Sequence, residues 1–313
     1  MKKLICLGAV LVLMLTACGK QEGPAASSED ASEEEILLTI DGREVPDWRY
    51  FCWLDRAVKT MAERYDAAGL TPAWGGEAGQ EAKAQALSDT ALYAAVESMA
   101  AQYGVTLTEE ERAALDASPW ASLPAEQAAE LTAVGGLYGK LCVLAGTEGS
   151  ALAPSAEALS AFAGEAGYMT VERILVPAGE GAADRAAELF AQVNGGGEEA
   201  FTAAKAQSAD TGGPRTFLPG EGTFDPALEE AAAALEPGQL SGILESAEGY
   251  SILRRLETDT AGLVIPWLDD QLRQAAKTAG IEAAVRYETL DMAAYAADLL
   301  GGATEKTTPA SSS

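Results

Sequence analysis

The sequence predicts an α+β protein in which an all-helical module, drawn from both ends of the chain, is interrupted by a compact segment of mixed strands and helices. Two observations predict it. Apolar residues recur at helical spacing over most of the chain, in a composition rich in alanine and only 6% aromatic, and both favour helix. From Tyr168 the pattern changes: Met169 to Val176, Gln239 to Glu245 and Gly249 to Leu256 carry the alternation and β-branching of strands.

In chain order, Ile36 to Ile40 reads as a short strand, and Asp41-Gly42 as a turn into Arg43-Glu44-Val45. Pro46 can then open a helix running to about Ala67, with Trp48, Phe51, Cys52, Leu54 and Val58 on its apolar stripe. A second helix is expected from Glu77 to Tyr103, carrying Leu87, Leu92, Tyr93, Val96 and Met99, and Gly104 ends it. Thr108 and Glu111 form a capping box, in which each side chain satisfies an orphan amide of the next helix. Further helices are expected at Ala125 to Ala145 and from Ser155. After the strand at Met169, helices are expected at Gly181 to Val193 and Glu198 to Gln207. A glycine- and proline-rich stretch, Asp210 to Gly222, precedes a helix at Pro226 to Leu235, and Ile265 to Leu300 returns to helix. The expected organisation is a helical module over 36–167, an α+β domain over 168–258 and returning helices over 259–300. A disordered tail is expected over 301–313.

Composition excludes several chemistries. The net charge is −27, a surface that repels phosphate backbones, so no nucleic-acid partner is expected. The chain has no histidine, which removes Ser-His-Asp and Cys-His catalysis and histidine-based zinc sites. No metal or cofactor is expected.

The first residues predict export. Lys2 and Lys3 give a basic head, and Leu4 to Leu15 is an apolar run of signal-peptide length, too short to span a bilayer. Leu15-Thr16-Ala17-Cys18 resembles a bacterial lipobox, which implies cleavage before Cys18 and lipidation of its sulfur. Residues 1–17 are then a signal peptide. Residues 18–35, with Glu29, Asp30, Glu33, Glu34 and Glu35, are a flexible acidic tether. The expected location is the extracytoplasmic face of the cell membrane, reached through a lipid anchor only. Loss of Lys2 and Lys3 takes the charge from −27 to −29. Of four cysteines, Cys52 and Cys142 would remain, either as a disulfide between distant helices or as two buried thiols.

The order of elements in 168–258 resembles the parvulin family of peptidyl-prolyl cis-trans isomerases. Arg173-Ile174-Leu175-Val176 stands where the family has a His-Ile-Leu-Val strand. Ser208-Ala209-Asp210 with Gly212-Gly213 stands at its Ser-x-Asp and glycine pair, Glu229 to Ser241 at its acidic helix and following strand, and Gly249-Tyr250-Ser251-Ile252-Leu253 at its last strand. Ile40 to Val45 and Tyr103 to Thr108 are similar to the SurA and PrsA chaperone module. The resemblance implies a protein-folding factor acting on unfolded or partly folded secreted polypeptides. Carried over by position, it implies Asp210, Arg173 and Ser251 at the catalytic centre and Phe217, Phe224 and Leu228 as an apolar wall for proline. Arg173 and Ser251 replace the family's two histidines, and Arg173 is a permanent cation suited to pair with Asp210. Two readings follow: an isomerase, or a tethered chaperone that uses the parvulin fold only to bind polypeptide.

Overall fold

A computed structural model describes residues 36–304. The expected signal peptide, Cys18, the acidic tether and the tail beyond Thr304 lie outside the described residues.

Leu38–Ile40 (β1) turns back through Asp41 and Gly42 into Arg43–Val45 (β2). Both turn residues have positive φ, 50° and 73°, which matches the twist of a tight hairpin. After Pro46, helix α1 covers Asp47–Ala67 and α2 covers Glu77–Gln102. The buried stripe of α1 is Tyr50, Trp53, Leu54, Ala57, Val58 and Met61. Trp48, Phe51 and Cys52 are only partly buried against this core, so the helix is turned from the expected stripe. Alanines dominate the buried face of α2 (Ala78, Ala82, Ala86 and Ala91), which lets the two helices approach closely while Leu87, Leu92, Tyr93 and Met99 remain half-buried. Arg49 of α1 reaches Glu97 at 2.9 Å and Glu130 at 3.5 Å, tying α1 and α2 to a later helix.

Helix α3, Glu109–Ala114, carries the capping box: Thr108 Oγ1 accepts from the Glu111 amide at 3.1 Å, and the Thr108 amide donates to the Glu111 carboxylate at 2.8 Å. Helix α4 follows at Ala125–Ala145, then α5 at Ala156–Ala166, capped by Ser155 and ended by Gly167 at φ 87°. Cys52 and Cys142 are free thiols. They pack against different cores, the first under α1 and the second between α2, α4 and a C-terminal helix, so the disulfide left open above does not form.

The α+β domain then runs as β3 (Met169–Pro177), α6 (Ala182–Val193), α7 (Gly197–Lys205), β4 (Arg215–Phe217), α8 (Pro226–Ala233), β5 (Leu244–Ser246) and β6 (Gly249–Leu256). The strands form one antiparallel sheet in the order β4-β3-β6-β5. Strand β4 lies inside the stretch expected to be a glycine-rich loop. The first half of the expected strand Gln239 to Glu245 pairs with β6 only through backbone bonds of Gln239 and Ser241 and the bridge of Leu240 to Arg254. Alternation gives the sheet two apolar faces. Ile174, Val176 and Ile252 pack under α6 and α7 with Leu189 and Phe201. Met169, Val171 and Leu253 face the other way, against Phe217, Phe224 and Leu228.

Helix α9, Val264–Thr278, returns to the helical module, packing Leu268 and Leu272 among residues of α2 and α4. The chain does not continue as helix. Ile281–Ala283 forms strand β7, antiparallel to β1, so the N-terminal hairpin becomes a three-stranded sheet in the order β2-β1-β7. Asp41 accepts from the Gly280 amide at 2.7 Å, and its own amide donates to the Gly280 carbonyl at 2.8 Å. A strand wins here because β1 has an open edge whose amides and carbonyls need partners. Helices α10 (Val285–Glu288) and α11 (Met292–Thr304) follow, so the helix extends through the first four residues of the expected disordered tail.

Gly249 opens β6 at φ 130°, and a Cβ there would stand 2.2 Å from the Val176 carbonyl oxygen. Gly249→Ala should lower stability by about 1–3 kcal/mol through backbone strain, measurable by urea unfolding, with amide-exchange protection lost first at the β3–β6 end.

Candidate functional site

The site lies on the α8 side of the sheet. Ser208 Oγ accepts from the amides of Leu175 at 2.8 Å and Asp210 at 3.0 Å, and the Ala209 amide donates to the Leu175 carbonyl at 2.9 Å. These three bonds lay residues 208–210 alongside β3. Lys205, at the end of α7, donates to the carbonyls of Arg173 and Asp210, both at 2.7 Å. The backbone around Asp210 is thus fixed from both sides.

The Asp210 carboxylate is 7% exposed as a residue and is surrounded by donors. Arg173 Nε donates to Oδ2 at 2.7 Å, the Gly212 amide to Oδ1 at 3.0 Å, and Arg215 Nη2 lies 3.3 Å from both oxygens. Lys205 Nζ stands 3.7 Å from Oδ1. A Cβ on Gly212 would sit 3.2 Å from Oδ1 and 3.4 Å from Arg215 Nη2, which is why a glycine suits that position. Arg173 also donates through Nη1 to Glu248 at 2.6 Å. Burial alone would raise the Asp210 pKa, but the Arg173 and Gly212 hydrogen bonds and the nearby Lys205 and Arg215 charges outweigh it and hold the carboxyl below its usual value. For Arg173, burial disfavours the cation, yet its bonds to Asp210 and Glu248 dominate and raise its pKa.

Phe224 lies against this cluster, with the guanidinium carbons of Arg173 and Arg215 at 5.3 and 5.2 Å from its ring centroid. Its edge meets Phe217 at 5.3 Å. The loop that carries Phe224 is held by Glu229 in the first turn of α8. One carboxylate oxygen accepts from the Phe224 amide at 2.9 Å and the other from the Gly220 amide at 2.6 Å. The amides of Phe224 and Gly220, with those of Thr223 and Gly222, lower the Glu229 pKa.

The structure therefore brings Asp210, Arg173 and Phe224 together. Ser251 is on the same sheet face, opposite Leu175 on β3 and Leu244 on β5, but its buried Oγ has no hydrogen-bond partner among the described residues and does not join the cluster. Phe217 and Leu228 are 2% and 0% exposed. They form the packed floor beneath Phe224 rather than an open wall, because β4 draws Phe217 into the sheet and α8 lays Leu228 upon it. Sequence reasoning missed Lys205, Arg215, Glu248 and the loop-holding role of Glu229. Glu229 had a usable signal, an acid in the first turn of a helix that follows a glycine-rich loop. Arg215 had none, since β4 itself was unseen. Among the described residues no three His, Cys, Asp or Glu side chains converge as metal ligands would.

A second feature lies in the helical module. Leu107, Leu115, Trp120, Leu131 and Val143 line a groove of about 610 Å³ along α4. Gly136 lets Leu115 and Leu107 pack close against α4, because a Cβ there would come within 2.8 Å and 3.1 Å of them. Tyr93 and Gly135 are shared with an adjoining recess of about 270 Å³.

The site thus sits on a four-stranded antiparallel sheet with two helices on one face and a third helix beside a polar centre on the other. Residues 156–261 match the family model of the PPIC-type PPIase domain, so this part of the chain is a peptidyl-prolyl isomerase domain by resemblance, set within a longer helical chain. Solved structures that the chain resembles include foldases. Foldase protein PrsA from Streptococcus pneumoniae shares 16% identity, with 84% of this chain and 86% of that one covered at a TM-score of 0.26. PrsA from Bacillus subtilis shares 12%, with 89% and 94% covered at 0.28, and the peptidylprolyl isomerase PrsA from Bacillus cereus shares 19%, with 81% and 88% covered at 0.27. No curated protein matches the chain.

Because the folded pKa of Glu229 is lowered, its contribution is complete above the unfolded carboxyl value of about 4.3 and is lost as pH falls through the folded value. Glu229→Gln should therefore destabilise the protein at neutral pH, and its stability difference from the wild type should shrink below about pH 4. Denaturant titrations at several pH values check this.

Proposed function

We propose that this protein is a lipid-anchored, extracytoplasmic folding factor whose parvulin-type domain accelerates Xaa-Pro isomerisation in unfolded or partly folded secreted polypeptides. The observation that carries the reading is the Asp210 cluster beside Phe224, on the sheet face opposite α6 and α7 of a PPIC-type domain. The reaction needs no nucleophile and no metal. Its barrier is rotation about an amide, about 18–20 kcal/mol, and it falls when the amide loses resonance in a preorganised polar surrounding.

Phe224 supplies an apolar face for the pyrrolidine ring. As the imide twists, its nitrogen regains a lone pair and accepts a hydrogen bond, and the Arg173 guanidinium, whose Nε and Nη1 are held by Asp210 and Glu248, is the donor beside the ring. Asp210 fixes Arg173 and takes no proton in the process, since its carboxyl is held below its usual pKa. The groove along α4 supports a holding role for the helical module, by offering apolar surface to an extended chain. Anchoring is supported by the basic head, the apolar run and Leu15-Thr16-Ala17-Cys18.

A second reading is favoured by one observation. Phe217 and Leu228 are closed into the core and Phe224 lies under two guanidiniums, which suits a domain that binds polypeptide without catalysis.

The test is NMR exchange on Ala-Pro and other Xaa-Pro peptides with residues 19–313, which contain all of the described residues 36–304. Cis-trans exchange should accelerate, and Asp210→Asn, checked for folding, should abolish the acceleration. Peptide binding without acceleration would establish the second reading. For the anchor, Cys18→Ser should abolish incorporation of labelled fatty acid and move the chain from the membrane to the soluble fraction.

A further inference from the structure

Three cations face Asp210, and they are not held alike. Arg173 is 9% exposed and anchored twice, to Asp210 at 2.7 Å and Glu248 at 2.6 Å. Lys205 is locked by two carbonyls at 2.7 Å. Arg215 is 39% exposed, sits on the three-residue edge strand β4, and reaches Asp210 only through Nη2, at 3.3 Å from each oxygen. Its Nε and Nη1 donors have no hydrogen-bond partner among the described residues. Were Arg215 to turn away, Asp210 would keep the Arg173 and Gly212 bonds, so the exchange leaves no buried acceptor unpaired.

The local charge points to what Arg215 would turn towards. Arg173, Lys205 and Arg215 face Asp210 and Glu248, an excess of one positive charge in a chain whose total is −27. Among the ion pairs of the described residues, no other carboxylate faces three cations.

We propose that Arg215 is an exchangeable, specificity-determining cation that takes a carboxylate from the residue preceding proline, so that the domain favours acidic Xaa-Pro segments of its polypeptide substrates. The proposal rests on the reading that this face receives Xaa-Pro. One movement admits both halves of the ligand. As Arg215 leaves Asp210 for a substrate Glu or Asp, its guanidinium also leaves the Phe224 ring, and the part of the ring it covered becomes free to pack the pyrrolidine, while Arg173 stays 5.3 Å from the ring centroid. Without that carboxylate, the guanidinium keeps its place over the ring. The remainder of the acidic surface repels such a segment only at long range, and at physiological salt that repulsion is screened beyond about 8 Å.

Peptides alike except for Glu-Pro, Ala-Pro or Lys-Pro are compared with residues 19–313 in physiological salt, by NMR exchange for rate and by chemical-shift titration for binding. The expected result is a preference of roughly two- to fivefold for Glu-Pro over Ala-Pro, weaker still for Lys-Pro. It should be lost in Arg215→Gln, partly kept in Arg215→Lys, and diminished by added salt in the wild type. The salt series keeps the test decisive if a substituted chain folds poorly. Acceleration of all three peptides alike, unchanged in Arg215→Gln, would overturn this proposal and leave the isomerase reading standing. Preferential binding of Glu-Pro without acceleration would support Arg215 as the selector and overturn the isomerase reading. Neither binding nor acceleration of any peptide would overturn both.

Discussion

The α+β domain depends on one buried ion pair, Arg173 with Asp210. Taking two charges out of water is expensive, and breaking such a pair by removing one partner costs about 3–5 kcal/mol because the other is left uncompensated. Here the cost is offset by geometry. Arg173 sits in the middle of β3, Asp210 arrives from the end of α7, and Glu248 closes from the turn before β6. Three stretches of chain distant in sequence therefore meet at one guanidinium. Ser208, Lys205 and Gly212 gain their roles from that meeting: the first two fix the backbone of Asp210, and the third lets an amide reach its carboxylate.

The same centre sets what the domain offers a ligand. With no histidine, the site lacks a group that titrates near neutrality, and a cation permanently paired with a carboxylate stands in that place. Under the proposed function it would supply fixed donors rather than a movable proton, which suits bond rotation, where electrostatic preorganisation matters and proton transfer does not. Phe224 is presented to this centre because Glu229 gathers the amides of the preceding loop.

The helical module is closed by contacts across most of the chain. Strand β7 completes the sheet begun by β1, and Lys83, buried in α2, donates to the Tyr287 carbonyl at 2.8 Å with its ammonium 4.4 Å from the ring. The returning C-terminal segment is thus pinned to the N-terminal hairpin and to α2. Phe162, Tyr168 and Trp267 pack around Leu159, Ala163 and Leu263 where the α+β domain leaves and rejoins the module. A chain held through Arg173 at one end and through β1–β7 at the other carries both an apolar groove and a polar centre in one polypeptide.

Local chemistry was legible from the amino acids alone. The alternation of β3, the Thr108 capping box, the limits of α4 and the Ser208-x-Asp210 word each depend on neighbours a few residues away, and a pattern of that range is written in the sequence. The pairing of Arg173 with Asp210 was suggested only by the family resemblance, which puts a fixed cation in a histidine's place beside an acid, and the second partner, Glu248, was not foreseen. Tertiary structure alone decided that Ile281–Ala283 forms a strand, that Phe217 and Leu228 are floor and not wall, and that Arg215 lies over Phe224. Each of these is set by an edge, a face or a charge supplied from elsewhere in the fold. Backbone groups at an open strand edge take whichever partner the fold delivers, and an apolar side chain is buried or exposed according to what packs on it, so neither outcome is encoded in local spacing.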